Sequence, residues 1–380
     1  MEADYQIIDT VAGLEIIKKA FEREKTIAVD LEADSMYHYR EKVCLIQLAS
    51  KKTTVVIDPI KVKDLSLIKR LFSNRQIKKI CHGADYDIRS LYRDFKINVN
   101  NLFDTETACR FLGIKETGLD AVLKKYFNVD ISKKYQKKDW SKRPLPKEMI
   151  DYAARDVIYL IPLGEILTKE LEKKKRLSWV LEECDYLSGV RPVLASDAPL
   201  FLKFKGAGRL KSRSLAVLEA LLQFRKKIAE RNDVPLFKII GNSALMKITA
   251  AKPVTLRQLT DLEALSKTQL KRYANDLIEV IPKALDIPED ELPVYPRKKT
   301  PFLSPRVPKR VSALRRWRDK KAKDLKLDPG LICNNMLIST IAITNPTDTS
   351  SFASVIKMKN WQKEEFGQEI ITVLRNMART

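Results

Sequence analysis

Residues 26–34 read Thr-Ile-Ala-Val-Asp-Leu-Glu-Ala-Asp, an apolar run that closes on two acids, Asp30 and Glu32, one residue apart. On a strand, alternate side chains share a face, so these two carboxylates point the same way. Two like charges at the end of a buried strand are costly unless something cationic lies between them, and a divalent metal meets that need. Two other segments add more oxygen. Residues 77–81 read as a second short strand, and 84–93 as a helix with Asp85 and Asp87 in its opening turn, where acids suit the helix dipole. From Pro146 to Leu171 the apolar residues recur at helical spacing, which puts Tyr152 and Asp156, four apart, on one face. The set offers only oxygen, which favours a hard cation, Mg²⁺ or Mn²⁺, over zinc. Asp30, Glu32, Asp87, Tyr152 and Asp156 together read as a two-metal phosphodiesterase.

Taken singly, each element has a plainer reading: a solvated strand end, a helix cap, a packing pair. Their order and context make the pattern specific. On these motifs the chain resembles ribonuclease D, of the DEDD exonuclease superfamily, in the subgroup whose third motif carries a tyrosine. The first motif lies in VDLEADSMYHYREKVCLIQLA, the second at Asp87 with His82 five residues before it, and the third at Tyr152 and Asp156. The stretch DWSKRPL, residues 139–145, also looks like this family. Asp85 rivals Asp87, but the spacing from His82 and the Leu91 that follows favour Asp87.

The resemblance implies an α/β fold: an N-terminal ribonuclease H-like 3′→5′ exonuclease domain with a mixed sheet flanked by helices, then two all-α HRDC-type bundles. It implies two ions, with Asp30 bridging both, Glu32 and Asp156 completing the shell of one, and Asp87 supporting the other. Tyr152, with an ordinary pKa of roughly 10, is a poor base at neutral pH and is expected to orient the attacking water. Glu32 is also placed to touch the terminal 3′-hydroxyl. The candidate substrate-binding residues are Met36 and His38, in a loop after the first motif, His82 beside the second, and Arg143 as a phosphate contact. Trp140 is expected to anchor its loop.

Composition agrees. The chain has 380 residues, 44% hydrophobic and 32% charged, which suits a soluble protein of two or three domains. No apolar run reaches spanning length and the start, MEADYQIIDT, lacks signal-peptide character, so a cytoplasmic location is expected. The five cysteines are scattered and odd in number, as expected of buried thiols rather than disulfides or zinc ligands.

Charge points to a polyanionic partner. The net charge of +22 divides into +5 for residues 1–190 and +17 for 191–380. Residues 297–330 alone carry thirteen basic residues against three Asp, beside prolines and a tryptophan, a pattern that suits phosphate tracking. A second basic run, Lys133, Lys134, Lys137, Lys138, Lys142 and Arg143, flanks Tyr135 and Trp140 just before the third motif.

The domains are expected at 1–188 (exonuclease), 189–209 (linker), 210–286 (HRDC), 287–310 (basic, Pro-rich linker) and 311–380 (a divergent second HRDC-like domain). Helices are expected at 212–231, 243–249, 256–259 and 268–282. The function implied is a 3′→5′ exoribonuclease that releases nucleoside 5′-monophosphates, with transfer-RNA precursors as substrates. The alternatives are a 3′→5′ DNA exonuclease, which shares the five residues, and a catalytically idle RNA-binding scaffold, which would not need acids that repel phosphate.

Overall fold

The computed structural model describes residues 4–193, 197–296, 304–355 and 358–378. The chain folds as two compact units: residues 1–33, 43–192 and 300–380 form one, and residues 34–42 and 193–299 the other.

The first unit is built on a six-stranded sheet in the order β1-β4-β3-β2-β5-β6. The strands are β1 (Gln6–Ile8), β2 (Thr26–Ala33), β3 (Val43–Ala49), β4 (Thr54–Ile57), β5 (Lys78–Cys81) and β6 (Leu102–Asp104). β3 runs antiparallel to both neighbours, β2 and β4, while β1–β4, β2–β5 and β5–β6 pair in parallel. The mixed sheet expected from the resemblance is therefore found. All seven residues of β3 are buried, as expected for a central strand covered on both faces. In register, Asp30 of β2 lies opposite Gln47 and Glu32 opposite Leu45, and the ladder slips between Glu32 and Ala33.

The expected helix at 84–93 is Asp85–Phe95, and the single helical run read over 146–171 is two helices, Lys147–Ile158 and Leu160–Lys173. The break at Tyr159 has a physical cause. Pro162 has no N–H to offer the carbonyl of Ile158, so the ladder restarts with Leu163 donating to Tyr159 at 2.9 Å.

Residues 304–378 contribute the helices Arg306–Leu325, Asn335–Thr344 and Asn360–Ala378, and share one hydrophobic core with the sheet. Trp361 stacks on Trp179 at 4.8 Å and meets Phe111 edge-on at 5.5 Å. Both Glu182 carboxylate oxygens accept from the start of the last helix, from Asn360 N–H at 2.7 Å and Trp361 N–H at 2.8 Å. Buried Arg176 donates to the carbonyls of Phe111 (2.8 Å) and Leu325 (2.9 Å). The first of the last three helices starts at Arg306, inside the stretch read as a linker; residues 297–303 of that stretch lie outside the described residues.

The second unit holds four main helices, Ser212–Arg231, Asn242–Ala251, Leu256–Asp261 and Lys267–Leu285, close to the expected spans. Ser266 starts the last of these with a reciprocal cap to Gln269. Phe201, Phe204 and Ala207, read as linker residues, are buried in this bundle, so the segment packs as part of the unit. Among the described residues no helix is long and apolar enough to cross a membrane. All five cysteines are buried thiols outside any disulfide, as expected.

Candidate active site

Three elements of the sheet unit converge on one cavity of about 390 Å³, lined by Asp30, Glu32, His82, Glu106, Tyr152 and Asp156 among others. β2 delivers Asp30 and Glu32 from one face. The helix Lys147–Ile158 packs over that sheet and delivers Tyr152 and Asp156 from successive turns. One carboxylate oxygen from each of Asp30, Glu32 and Asp156 lies within 4.8 Å of the others. That spacing and an all-oxygen donor set fit a hard divalent cation.

Asp87 comes from the helix that follows β5. After β5 the chain turns through Gly83 at φ +71, a conformation that favours glycine. Asp104 then fixes the helix start, one carboxylate oxygen accepting from Ala84 N–H at 2.6 Å and the other from Thr107 N–H at 2.7 Å. Asp87 is buried in the first turn and feels the charge of Asp30, whereas Asp85 is exposed and paired with Arg89 at 2.7 Å. Burial thus distinguishes Asp87 from its rival Asp85, although Asp87 is not among the three carboxylates that cluster within 4.8 Å.

Electrostatics of the cluster follow from crowding. Burial pushes the Asp30 carboxyl up to about 7. Burial first, then the charges of Asp30, Asp156 and Asp87, raises Glu32 well above the usual range. Asp87 and Asp156 are raised the same way, each by burial and then by Asp30. Lys133, from the basic run before the third motif, also lines the cavity but is paired with Asp120 at 2.9 Å. Tyr152 is raised by burial, by the charges of Asp156, Glu32 and Asp30, and by its hydrogen bond to Asp156. Its ring packs against Tyr135 at 5.8 Å and Trp140 at 6.2 Å. Trp140 is fully buried, the anchoring position expected of it.

The remaining candidates divide. His82 lines the cavity, with Nδ1 2.9 Å from the Thr105 hydroxyl, and burial lowers its pKa despite nearby Asp104 and Glu106, so the ring is neutral and a positioning group. Met36 and His38 belong to the other unit, where His38 Nδ1 lies 2.7 Å from Asp233 Oδ2 and Met36 is exposed. The phosphate contact expected of Arg143 is corrected by the structure. Its guanidinium donates to Asp58 at 2.7 and 2.8 Å and to the carbonyls of Cys44, Trp140 and Lys142, which uses all five N–H groups. Arg143 ties the loop before Tyr152 to the sheet. Sequence reading missed Glu106, Asp120 and Gln136, which also line the cavity. They sit on unremarkable helix starts and loops, and only the fold brings them to the motif residues.

A family model described as a 3′-5′ exonuclease matches residues 5–172, and one described as an HRDC domain matches residues 214–281 and 308–374. Ribonuclease D of Bartonella henselae is 28% identical over 97% of this chain and 90% of its own length. The chain therefore carries a 3′-5′ exonuclease domain followed by HRDC domains, and is similar to ribonuclease D over nearly its whole length. Its exonuclease domain is of the DEDD type, a metal-dependent class of hydrolase. Protein RRP6-like 1 of Arabidopsis thaliana is 28% identical over 94% of the chain, which spans 57% of that longer relative. The crystal structure of Escherichia coli RNase D, described as an exoribonuclease involved in structured RNA processing, aligns over 98% of this chain and 99% of its own. Its TM-score is 0.73 at 24% identity, a likeness of fold.

Proposed function

We propose that the chain removes nucleotides one at a time from RNA 3′ ends with two divalent ions, Mg²⁺ or Mn²⁺, held by Asp30, Glu32, Asp87 and Asp156, and that it acts in the cytoplasm on transfer-RNA precursors. The observation that carries this reading is the convergence of three carboxylate oxygens within 4.8 Å in a cavity whose one lining cation among the described residues, Lys133, is paired with Asp120 at 2.9 Å. When bound, two ions supply an activated water and compensate charge on the leaving 3′-oxygen.

The chain's own groups do the rest. Asp30, whose charge acts on the other three acids, would contribute to holding both ions. Glu32 and Asp156 would help hold one ion, and Asp87 would support the other. Glu32 also accepts from the terminal 3′-hydroxyl, which restricts attack to chain ends. Tyr152, whose hydroxyl stays protonated because its pKa is raised, orients the attacking water instead of taking its proton. His82, neutral and held by Thr105, steadies the cavity wall.

The substrate assignment is tested with a transfer-RNA precursor carrying a short 3′ trailer. Loss of the trailer with the end mapped at the mature 3′ terminus supports it. A trailer that survives while an unstructured oligoribonucleotide is degraded contradicts the transfer-RNA assignment and leaves the exoribonuclease.

A further inference from the structure

The catalytic mechanism makes no use of a second cavity in the same unit, about 690 Å³, formed where the loop after the helix Thr105–Leu112 meets the end of the helix Arg306–Leu325. Arg110 and Lys115 line it from the exonuclease side, and Lys323 and Lys326 from the C-terminal helices. All four are exposed, and among the described residues none has an ion-pair partner. The one acid in the lining, Asp328, spends a carboxylate oxygen on capping Gly330 N–H at 2.6 Å. Four exposed cations around one cavity give it a positive potential that attracts a polyanion.

The two walls are held rigidly. Gly113 adopts φ +85, and a Cβ there would collide with the carbonyl oxygen of Lys326, so the backbones touch. Arg176 bonds both walls through Phe111 and Leu325, and Lys174 adds a bond to the Leu112 carbonyl at 2.9 Å. The cavity is therefore preformed, which lowers the cost of binding.

Its position relative to the catalytic cavity identifies the occupant. The loop 113–118 is shared: Gly113, Lys115 and Thr117 line the basic cavity, and Gly118 lines the catalytic one. Thr117 also donates to Glu106, on the catalytic wall, at 3.2 Å. Lys115 and Gly118 are three positions apart, a span of at most roughly 11 Å. Resting on the exoribonuclease reading above, we infer that this cavity is a phosphate-binding site for the RNA strand a few nucleotides upstream of the scissile bond, with Arg110, Lys115, Lys323 and Lys326 as its contacts. The C-terminal helices thus supply half of a substrate groove that ends at the carboxylates.

The test compares the full-length protein with the triple variant Lys115→Gln/Lys323→Gln/Lys326→Gln, its Lys→Arg counterpart, and a control, Lys19→Gln/Lys69→Gln/Arg75→Gln, that removes the same charge from exposed positions elsewhere. Binding of a 20-nucleotide single-stranded RNA is titrated with salt in EDTA, and turnover of a diribonucleotide is measured in Mg²⁺. Loss of three contacts lowers the log–log salt slope by about 2 and weakens binding about tenfold or more. The arginine variant should restore both, and diribonucleotide turnover should not change. Unchanged RNA affinity in the cavity variant, or an equal loss in the control, overturns the inference. If the wild type fails to cleave either RNA, the exoribonuclease reading falls, and the binding data still decide the cavity.

Discussion

Asp30 and its neighbours hold charge where water cannot compensate it, and this fixes how the site responds to pH and metal. Their folded pKa values are raised, so protonation favours the fold. The stabilising contribution is complete below the unfolded carboxylate value of about 4 and is lost as pH rises through the raised values, near 7 for Asp30. Metal-free protein should accordingly lose thermal stability between pH 5 and pH 8. Asp30→Asn should melt higher than wild type at pH 8 by on the order of 5 °C, with the gap closing at pH 5. Calorimetry in EDTA measures both, and a wild type that melts above the variant at pH 8 contradicts the assignment. Tyr152→Phe should lower kcat by about 10²-fold or more while metal affinity by titration calorimetry stays nearly unchanged, as the proposed water-orienting role of the hydroxyl requires. Arg143 marks the limit of sequence reading at this scale. Its basic neighbours suggest a phosphate contact, yet Asp58, 85 residues away, claims it. Arg143→Gln should therefore destabilise the protein by roughly 3 kcal/mol, the cost of leaving buried Asp58 without its partner. An unaltered melting temperature with weakened RNA binding would restore the phosphate role.

Strands and helices are legible in the sequence where pattern is local. The acids of β2 follow from period-two alternation, and Tyr152 and Asp156 from a four-residue repeat on one helix. The break in that helical run is not legible as a boundary, because Leu160 and Leu163 continue the apolar pattern past the point where Pro162 removes the hydrogen bond. Phe201 and Phe204 escape for the opposite reason: prolines and glycines around them read as a linker, and only long-range packing shows them buried. Docking of the C-terminal helices rests on equally long-range contacts, Trp179 on Trp361 and Arg176 on Leu325. Trp361→Ala should cost about 3–5 kcal/mol by denaturant melting, since it removes a buried ring at that junction. A loss below about 1 kcal/mol would mean the junction contributes little.

In the whole molecule, the C-terminal helices and the exonuclease sheet share a core, whereas residues 193–299 form a core of their own. Truncation before residue 304 should expose Trp179 and Phe111 and give a protein that melts markedly lower or aggregates, which static light scattering would register. An intact, equally stable truncated protein would contradict the shared core. At the centre stands the proposed role of the converging carboxylates, to hold the metal with which the exonuclease domain shortens RNA from its 3′ end. That role is tested most directly by digesting matched single-stranded RNA and DNA, each labelled at the 5′ end and carrying a 3′-hydroxyl, in Mg²⁺, Mn²⁺ and EDTA, beside Asp30→Asn and Asp156→Asn. Stepwise shortening of the RNA with release of nucleoside 5′-monophosphates, abolished by EDTA and by either substitution, is the predicted result; activity that persists in EDTA or in either variant, or products bearing 3′-phosphates, would contradict it.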